Sequence, residues 1–430
     1  MNIKTTTFLV LSAVSAAAFA AVPTVSNVQL SGGSKARITY DLSGDPGIVT
    51  LEIQTNTVAD LSGKWLPING QFLRNVAGDV SCVVQPGNGH LIKWPAKEAL
   101  GEPLKNARAV LTAWATNAPP DWCIGDILGE DVARYYTSTN YFPLGFGHDV
   151  YKTSKIVFKL VKARGCTFSM GCPAGLGPES WDNSAPPHDV TMTRDYYLAI
   201  YEVTQAQYYL ATGNWSPYGT SSSNWKGDAT VEEKGSSKLA ADFCWRNQWR
   251  GTSYVSFWLH GYTVDKDSFI GRARSRTGLF IEFPTEAEWE FAARCGGYRL
   301  NNTRRQMGEN GTYLTKDETA WARSIGDVEC KLHEVGLLKP NCWGFYDMCG
   351  NVNEGCIDYD STGNYNNGAP AIDPIGTTTG DGPKGRGGAY QQSTYSENVF
   401  YRGSGAGGSN GNGGLRPVVV LERHPAVIDK

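Results

Sequence analysis

The sequence lacks the features that mark several common functional classes. It has 39 Lys and Arg against 42 Asp and Glu, so no basic excess is available to hold a phosphate backbone. No C-x-x-C motif occurs, which argues against a zinc ribbon or a thioredoxin-type redox site. The six histidines include no H-x-x-x-H pair, so a zincin-type or histidine-rich iron site has no support. We therefore expect no nucleic-acid partner and none of these metal centres.

Long apolar runs are also missing, so no membrane-spanning segment is expected. Residues 8–18 are apolar, but this stretch is shorter than the ~20 residues that a spanning helix needs. It follows Lys4 and ends in Ala18-Phe19-Ala20, which has the form of a signal-peptide cleavage site. We expect residues 1–20 to be a signal peptide and the mature protein to be secreted or periplasmic.

Cysteine and glycine, by contrast, are well represented. An even count of 10 cysteines in an exported chain indicates structural disulfides, although the sequence does not give their pairing. Glycine supplies 50 of 430 residues, about 12% against a usual ~7%, which indicates a fold rich in turns and loops. A length of 430 residues exceeds one ordinary core and predicts two domains or three.

The N-terminal part of the mature chain has the pattern of an all-β domain. Residues 36–42 and 48–53 alternate apolar and polar side chains with a period of two, and a Gly/Asp/Pro turn separates them. Further short runs follow at the spacing of a sandwich. We predict an immunoglobulin- or fibronectin-like β-sandwich over residues 21–116 and a mixed connector over residues 117–154.

The pattern changes after residue 155 to short strands, long polar loops and two helices. One predicted helix spans residues 204–212 and is closed by Gly213. The other spans residues 285–294, where Thr285 and Glu288 have the spacing of a capping box.

Five ordered motifs in this second part resemble those of one family. They are F-S-M-G at 168–171, E-V-T-Q-A-Q-Y at 202–208, P-T-E-A-E-W-E-F-A-A-R at 284–294, W-G-F-Y-D-M-C-G-N-V-N-E at 343–354, and R-G-G-A-Y at 386–390 with G-L-R at 414–416. This set resembles the formylglycine-generating enzyme (sulfatase-modifying factor) family. The resemblance implies an irregular α+β, C-type-lectin-like fold over residues 155–422, followed by a tail at residues 423–430.

The copper site of that family is not matched. Family enzymes hold Cu(I) between two thiolates just beyond R-G-G-S, and they use O₂ to convert a cysteine in a sulfatase C-x-P-x-R segment to formylglycine. Here the motif serine is Ala389, the first cysteine position is Gln392, the second falls near Glu397, and no cysteine follows Cys356. An amide and a carboxylate cannot replace a bis-thiolate site. We therefore expect neither bound copper nor catalysis by the family mechanism, and name no catalytic residue.

A second family feature, a structural calcium site, has matching residues. The resemblance places its ligands at Asp347 (side chain), Gly350 and Val352 (backbone carbonyls) and Glu354 (side chain). Oxygen ligands that include two carboxylates suit a hard cation. The alternative is a hydrogen-bonded loop without a metal.

A retained scaffold with replaced reactive positions points to recognition rather than chemistry. We expect a peptide or a glycan to bind in the groove near Arg386, Tyr390, Gln392, Tyr401 and Arg402. The alternative interpretation of the aromatic residues is that they form the core. Two other functions stay open: a copper-dependent oxidase, predicted by family membership alone, and a structural envelope or cell-surface component. The sequence does not give the ligand's identity or the oligomeric state.

Overall fold

The computed structural model describes residues 21–56, 64–172, 187–215, 230–242, 249–251, 264–297, 306, 312–322, 331–359, 368–375, 383–392, 398–404 and 413–422. The predicted signal peptide, the C-terminal tail and Glu397 lie outside the described residues.

The N-terminal region forms two packed antiparallel sheets. Its strands are β1 (Thr24–Ser31), β2 (Ala36–Ser43), β3 (Gly47–Thr55), β4 (Leu66–Pro67), β5 (Ala77–Gly78), β6 (Val83–Val84), β7 (Gly87–Trp94) and β8 (Ala107–Ala115). One sheet has the order β1-β2-β7-β5, and the other has the order β4-β3-β6 with β8 paired along β3. The period-two pattern explains this arrangement, because Ile38, Val49, Ile53 and Ile92 all point into one buried cluster between the sheets. The predicted β-sandwich is confirmed.

The rest of the chain is built around a six-stranded antiparallel sheet, with smaller sheets beside it. The strands of this second region, over all its sheets, are β9 (Trp122–Asp126), β10 (Arg134–Tyr136), β11 (Lys155–Val161), β12 (Cys166–Met170), β13 (His188–Met192), β14 (Tyr196–Ala199), β15 (Ile281–Glu282), β16 (Ala320–Trp321), β17 (Cys349–Gly350), β18 (Asn353–Tyr359), β19 (Ala371–Ile372), β20 (Pro383–Arg386), β21 (Arg402–Ser404), β22 (Gly413–Gly414) and β23 (Val418–Val420). The large sheet has the order β10-β9-β11-β14-β23-β15, and a four-stranded sheet has the order β21-β20-β18-β22.

The segment predicted as a connector supplies the first two strands of the large sheet. β9 pairs with β11 along five residues, and β10 pairs with β9. Buried Cys123 and Ile124 tie the segment to the core. Both strands are short and lie among Gly, Asp and Ser turns. The alternation of apolar and polar residues along them therefore extends over too few residues to predict a strand from the sequence.

Helices occur in both regions of the chain. In the described ranges they are α1 (Ala96–Leu100), α2 (Gln205–Thr212), α3 (Val231–Ser236), α4 (Phe269–Thr277), α5 (Glu286–Ala293) and α6 (Lys316–Thr319). Residues of α5 share a buried cluster with Tyr196 and Leu198, whereas α2 and α4 share one with Tyr197 and Ala199. Because β14 alternates between these clusters, both faces of the sheet are buried and its strands are nearly all apolar.

Both predicted helices are confirmed with their capping residues. Thr204 accepts a hydrogen bond from Gln207 N at 3.2 Å, and Gly213 closes α2 in the left-handed region. Thr285 Oγ1 accepts from Glu288 N at 3.0 Å, while Glu288 Oε2 accepts from Thr285 N at 2.9 Å. Each capping box satisfies two backbone donors that the helix leaves unpaired.

One of the expected disulfides is formed, between Cys295 and Cys342. It joins the end of α5 to the segment that leads into β17. Among the described residues, Cys82, Cys123, Cys166 and Cys356 are thiols. No helix in the described ranges combines the length and the apolar character needed to cross a membrane.

Candidate functional site

Two buried glutamates of α5 organise the centre of the second region. Glu286 and Glu290 lie four residues apart on one face of the helix, and both are buried. Arg402 from β21 donates to both oxygens of Glu286, at 2.6 and 2.7 Å. Arg386 from β20 bridges the two carboxylates, at 2.8 Å to Glu286 and 3.0 Å to Glu290. The helix is thereby bound to two strands that lie about 100 residues further along the chain.

This pairing sets the charge state of Glu286. Burial raises the pKa of the carboxyl, but the charges of Arg402 and Arg386 outweigh it and hold the pKa at about 2. Glu290 is further paired with Arg294 at 2.7 Å and accepts from Gly171 N at 2.9 Å. Every carboxylate of this network has a cationic partner, as buried charges require.

The structure places Arg386, Tyr390 and Arg402, three of the groove candidates, in the interior. Their exposed fractions are 0%, 0% and 2%, so a ligand in solution does not reach them. The physical reason is that the two arginines neutralise the carboxylates of α5. Gln392 and Tyr401 are partly exposed and are the groove candidates that a ligand can contact.

Both carboxylates of the predicted calcium loop already accept hydrogen bonds. Glu354 accepts from Arg416 at distances of 2.6 to 3.0 Å and from Trp289 Nε1 at 2.6 Å. Asp347 accepts from Gly336 N at 2.6 Å through Oδ2, whereas its buried Oδ1 has no partner among the described residues.

Gly350 holds the loop in its tight conformation. Its φ is 83°, in the left-handed region, and a Cβ added there would lie 2.5 Å from the carbonyl oxygen of Trp321. Only glycine permits both this backbone conformation and this approach to the neighbouring strand.

A third carboxylate, which the sequence reasoning did not single out, lies beside this loop. Glu202 accepts from Asn351 Nδ2 at 2.6 Å and from Val352 N at 3.1 Å. Burial, followed by the charges of Asp347 and Glu354, raises its pKa well above the ordinary value. Burial also raises the pKa of Asp347 to about 6. The only sequence signal for Glu202 was its place at the start of the E-V-T motif.

Two features decide whether this loop suits a hard cation: the carboxyl groups around it, and one carboxylate oxygen that has no partner among the described residues. Glu202, Asp347 and Glu354 bring three carboxyl groups near the guanidinium of Arg416, and the charges of Asp347 and Glu354 help to raise the pKa of Glu202. The unpartnered Asp347 Oδ1 is an oxygen donor that a cation could use. Within the described ranges, however, no three His, Cys, Asp or Glu side chains group as a metal site would require. Calcium therefore stays a prediction.

Cys356, the last cysteine in the sequence, is a poor copper ligand. Cys356 is 1% exposed, and burial raises its pKa well above the ordinary value, so its sulfur is a neutral thiol. Copper(I) is held by thiolates. Gln392 occupies the first cysteine position with its buried Oε1 lacking a partner in the described part of the chain, and Gln392 N donates to Ala389 O at 2.8 Å.

Comparisons with known proteins agree with the motifs. The family profile described as a sulfatase-modifying factor enzyme 1-like domain matches residues 152–421. The match confirms the family resemblance and, with it, the irregular α+β fold class.

Two curated relatives cover smaller parts of the chain. The chaperone protein LppX of Paenibacillus barcinonensis is 27% identical over 198 residues, which are 40% of this chain and 65% of that protein. A formylglycine-generating enzyme of Thermomonospora curvata is 33% identical over 113 residues, which are 25% of this chain and 37% of the enzyme. The chain thus matches less than two thirds of the length of each.

The comparison with solved structures gave weaker matches. PvdO from Pseudomonas aeruginosa has a TM-score of 0.47 and 21% identity, covering 61% of this chain and 94% of PvdO. Variable protein 1 of Treponema denticola has a TM-score of 0.41 and 22% identity, covering 62% of this chain and 95% of that protein.

Proposed function

We propose that this chain, which belongs to the sulfatase-modifying factor enzyme 1-like family, is an exported protein that recognises a peptide or a glycan without oxidising it. The observation that carries the proposal is the substitution at the reactive positions. Ala389 and Gln392 stand where the family motif has its serine and its first copper cysteine. The surrounding scaffold, by contrast, is retained, with Glu286 and Glu290 of α5 paired with arginines. Function depends on the site rather than on the fold, and the site is what differs.

The proposed ligand contacts are Gln392 and Tyr401. Both are partly exposed. Arg386 and Arg402 act as positioning residues, because they fix β20 and β21 against α5.

Calcium is the proposed structural cofactor. Asp347 and Glu354 would hold it through carboxylate oxygens, with the carbonyls of Gly350 and Val352. Bound there, the cation would supply charge neutralisation and cross-link the loop between β17 and β18, and it takes no part in any reaction.

The deciding experiment is mass spectrometry of a C-x-P-x-R peptide incubated with the mature protein, Cu(I) and O₂. We expect no conversion of the cysteine to the aldehyde, while an active formylglycine-generating enzyme converts it in a parallel reaction. Conversion by this chain would contradict the proposal and establish the oxidase. That alternative is favoured by the curated relatives that carry the enzyme's name.

Recognition and export need separate tests. Peptide and glycan arrays should retain the protein, and Gln392→Ala with Tyr401→Ala should lose the bound ligand. Absence of any bound ligand would favour the structural role instead. The mass of the protein secreted from a bacterial host should correspond to a chain that begins at Ala21, whereas an uncleaved N-terminus would contradict export by this signal.

A further inference from the structure

A cleft of about 180 Å³ lies where the N-terminal sandwich meets β10. On one side it is lined by β3 and by residues 73–81 of the sandwich, and on the other by residues 131–143. Two backbone-directed hydrogen bonds fix the two sides together: Tyr135 N donates to Ser81 O at 2.7 Å, and Arg134 Nη1 donates to Val80 O at 3.1 Å. The cleft is therefore a built feature of the junction, and junctions between domains are common places for ligand sites.

One charged pair in the cleft is already satisfied. Arg134 donates from Nε and Nη2 to Asp131 at 2.7 to 3.1 Å. Burial raises the pKa of Asp131, but the hydrogen bonds and charge of Arg134 outweigh it and lower the pKa below the ordinary value. Asp131 therefore stays ionised and paired, and together the two side chains add no net charge to the cleft.

A second arginine in the cleft has no anionic partner. Arg74 is partly buried at the end of the turn Gly70–Leu73, and in the described part of the chain its only hydrogen bond is a long one, 3.4 Å from Nε to Asn140 O. Both terminal nitrogens of the guanidinium are left without an acceptor there. Because a guanidinium offers two parallel donors, it is suited to a carboxylate.

Two tyrosines and a serine add hydroxyl groups. Tyr136 and Tyr141 line the same cleft, and in the described ranges no hydrogen bond is made by either phenol or by the hydroxyl of Ser81. Burial raises the pKa of both phenols, so they remain protonated and able to donate. The ring of Tyr141 rests on Gly70, where an added Cβ would lie 3.0 Å from the ring. Its position is thus fixed by the sandwich.

We propose that this cleft binds a single acidic sugar unit, with its carboxylate on Arg74 and its ring hydroxyls on Tyr136, Tyr141 and Ser81. A volume of about 180 Å³ leaves room for one sugar ring. An acidic amino acid would fit the arginine equally well, but its ammonium would need an acidic partner. Asp131, the carboxylate in the cleft, is committed to Arg134. Hydroxyl groups that both donate and accept match a sugar instead.

The test is isothermal titration of the full mature chain with D-glucuronate, D-glucose and L-glutamate. We expect saturable binding of glucuronate, with glucose and glutamate binding at least about tenfold more weakly. Glucose lacks the carboxylate, and glutamate adds an ammonium group that would be unpaired. Arg74→Ala should weaken glucuronate binding about tenfold or more. Arg37→Ala, an exposed arginine on β2 of the same sandwich, should leave it unchanged.

A second variant distinguishes a lost ligand contact from misfolding of Arg74→Ala. Tyr141→Phe keeps the ring on Gly70 and removes only the hydroxyl, so we expect an unchanged melting temperature and a several-fold weaker affinity. Absence of saturable glucuronate binding, or equal binding by Arg74→Ala, would overturn the site. Equal binding of glutamate would overturn the sugar assignment. The cleft does not include Gln392 or Tyr401, so conversion of the C-x-P-x-R peptide would contradict the proposed function and leave this inference standing.

Discussion

At the scale of single residues, the second region depends on buried carboxylates that are each paired with arginine. Glu286 and Glu290 of α5 face Arg386, Arg402 and Arg294, and all five side chains are buried. A buried ion pair is a weak source of stability as a whole, but the loss of one partner leaves an uncompensated charge in the interior. Substitutions at these positions are therefore informative, although none of them touches a proposed ligand.

We predict that Glu286→Gln destabilises the protein by about 3–5 kcal/mol, because Arg402 and Arg386 lose their shared carboxylate. The pH dependence has a defined sign. The pKa of Glu286 is held at about 2, below its ordinary value of 4.5, so its contribution is present above pH ~4.5 and is lost as the pH falls toward 2.

Denaturant unfolding of the wild type and of Glu286→Gln between pH 2 and 7 measures this effect. The difference between the two proteins should shrink with acidity. Glu232→Gln, on the exposed start of α3, serves as the control and should behave like the wild type. A difference that stays constant down to pH 2 would contradict the assigned ion pairs.

At the scale of elements, the two capping boxes differ in what they support. Thr285 caps the buried helix α5, whereas Thr230 makes the same pair of hydrogen bonds at the start of the exposed helix α3. We predict that Thr285→Ala costs about 1–2 kcal/mol of unfolding free energy and that Thr230→Ala costs less than about 0.5 kcal/mol. Chemical denaturation of the two variants measures both values. Equal losses would mean that α3 contributes to the cooperative core as much as α5 does.

The loop from Asp347 to Glu354 gives a second test at this scale. If calcium is bound there, added Ca²⁺ should raise the melting temperature relative to EDTA, since a ligand of the folded state stabilises it by mass action. Asp347→Ala should remove most of this increment, because it deletes the side chain with the unpartnered oxygen. Asp189→Ala, on the exposed side of β13, should keep it. Equal melting temperatures with Ca²⁺ and EDTA would contradict the calcium site.

At the scale of the whole molecule, a covalent link joins two segments that are distant in the sequence. Among the described residues one disulfide, between Cys295 and Cys342, closes a loop of 47 residues. We predict that its removal in Cys295→Ala/Cys342→Ala costs about 2–4 kcal/mol, chiefly by freeing the unfolded chain. Thermal unfolding with and without reductant gives the check: the wild type should lose stability on reduction. A double variant as stable as the oxidised wild type would show that the link is dispensable.

The sequence by itself determined the local structure and the family. The period-two strands of the sandwich, the capping box at Thr285, the helix end at Gly213 and the five ordered motifs all depend on residues close together in the chain. Such signals act over a few residues and need no knowledge of what packs against them. The sequence alone also shows that no cysteine follows Cys356, and the proposed function depends on that absence.

Tertiary structure alone decided which polar residues are buried and with whom they pair. The sequence predicts Arg386 and Arg402 in a binding groove. In the structure they form ion pairs inside the core with a carboxylate about 100 residues earlier in the chain. The role of Glu202 beside Asn351, and the strands within residues 117–154, have the same origin. Arg74 and Tyr136 meet in one cleft only because the sandwich docks on β10. Pairing across such distances is fixed by the packing of the whole chain, which no local pattern records.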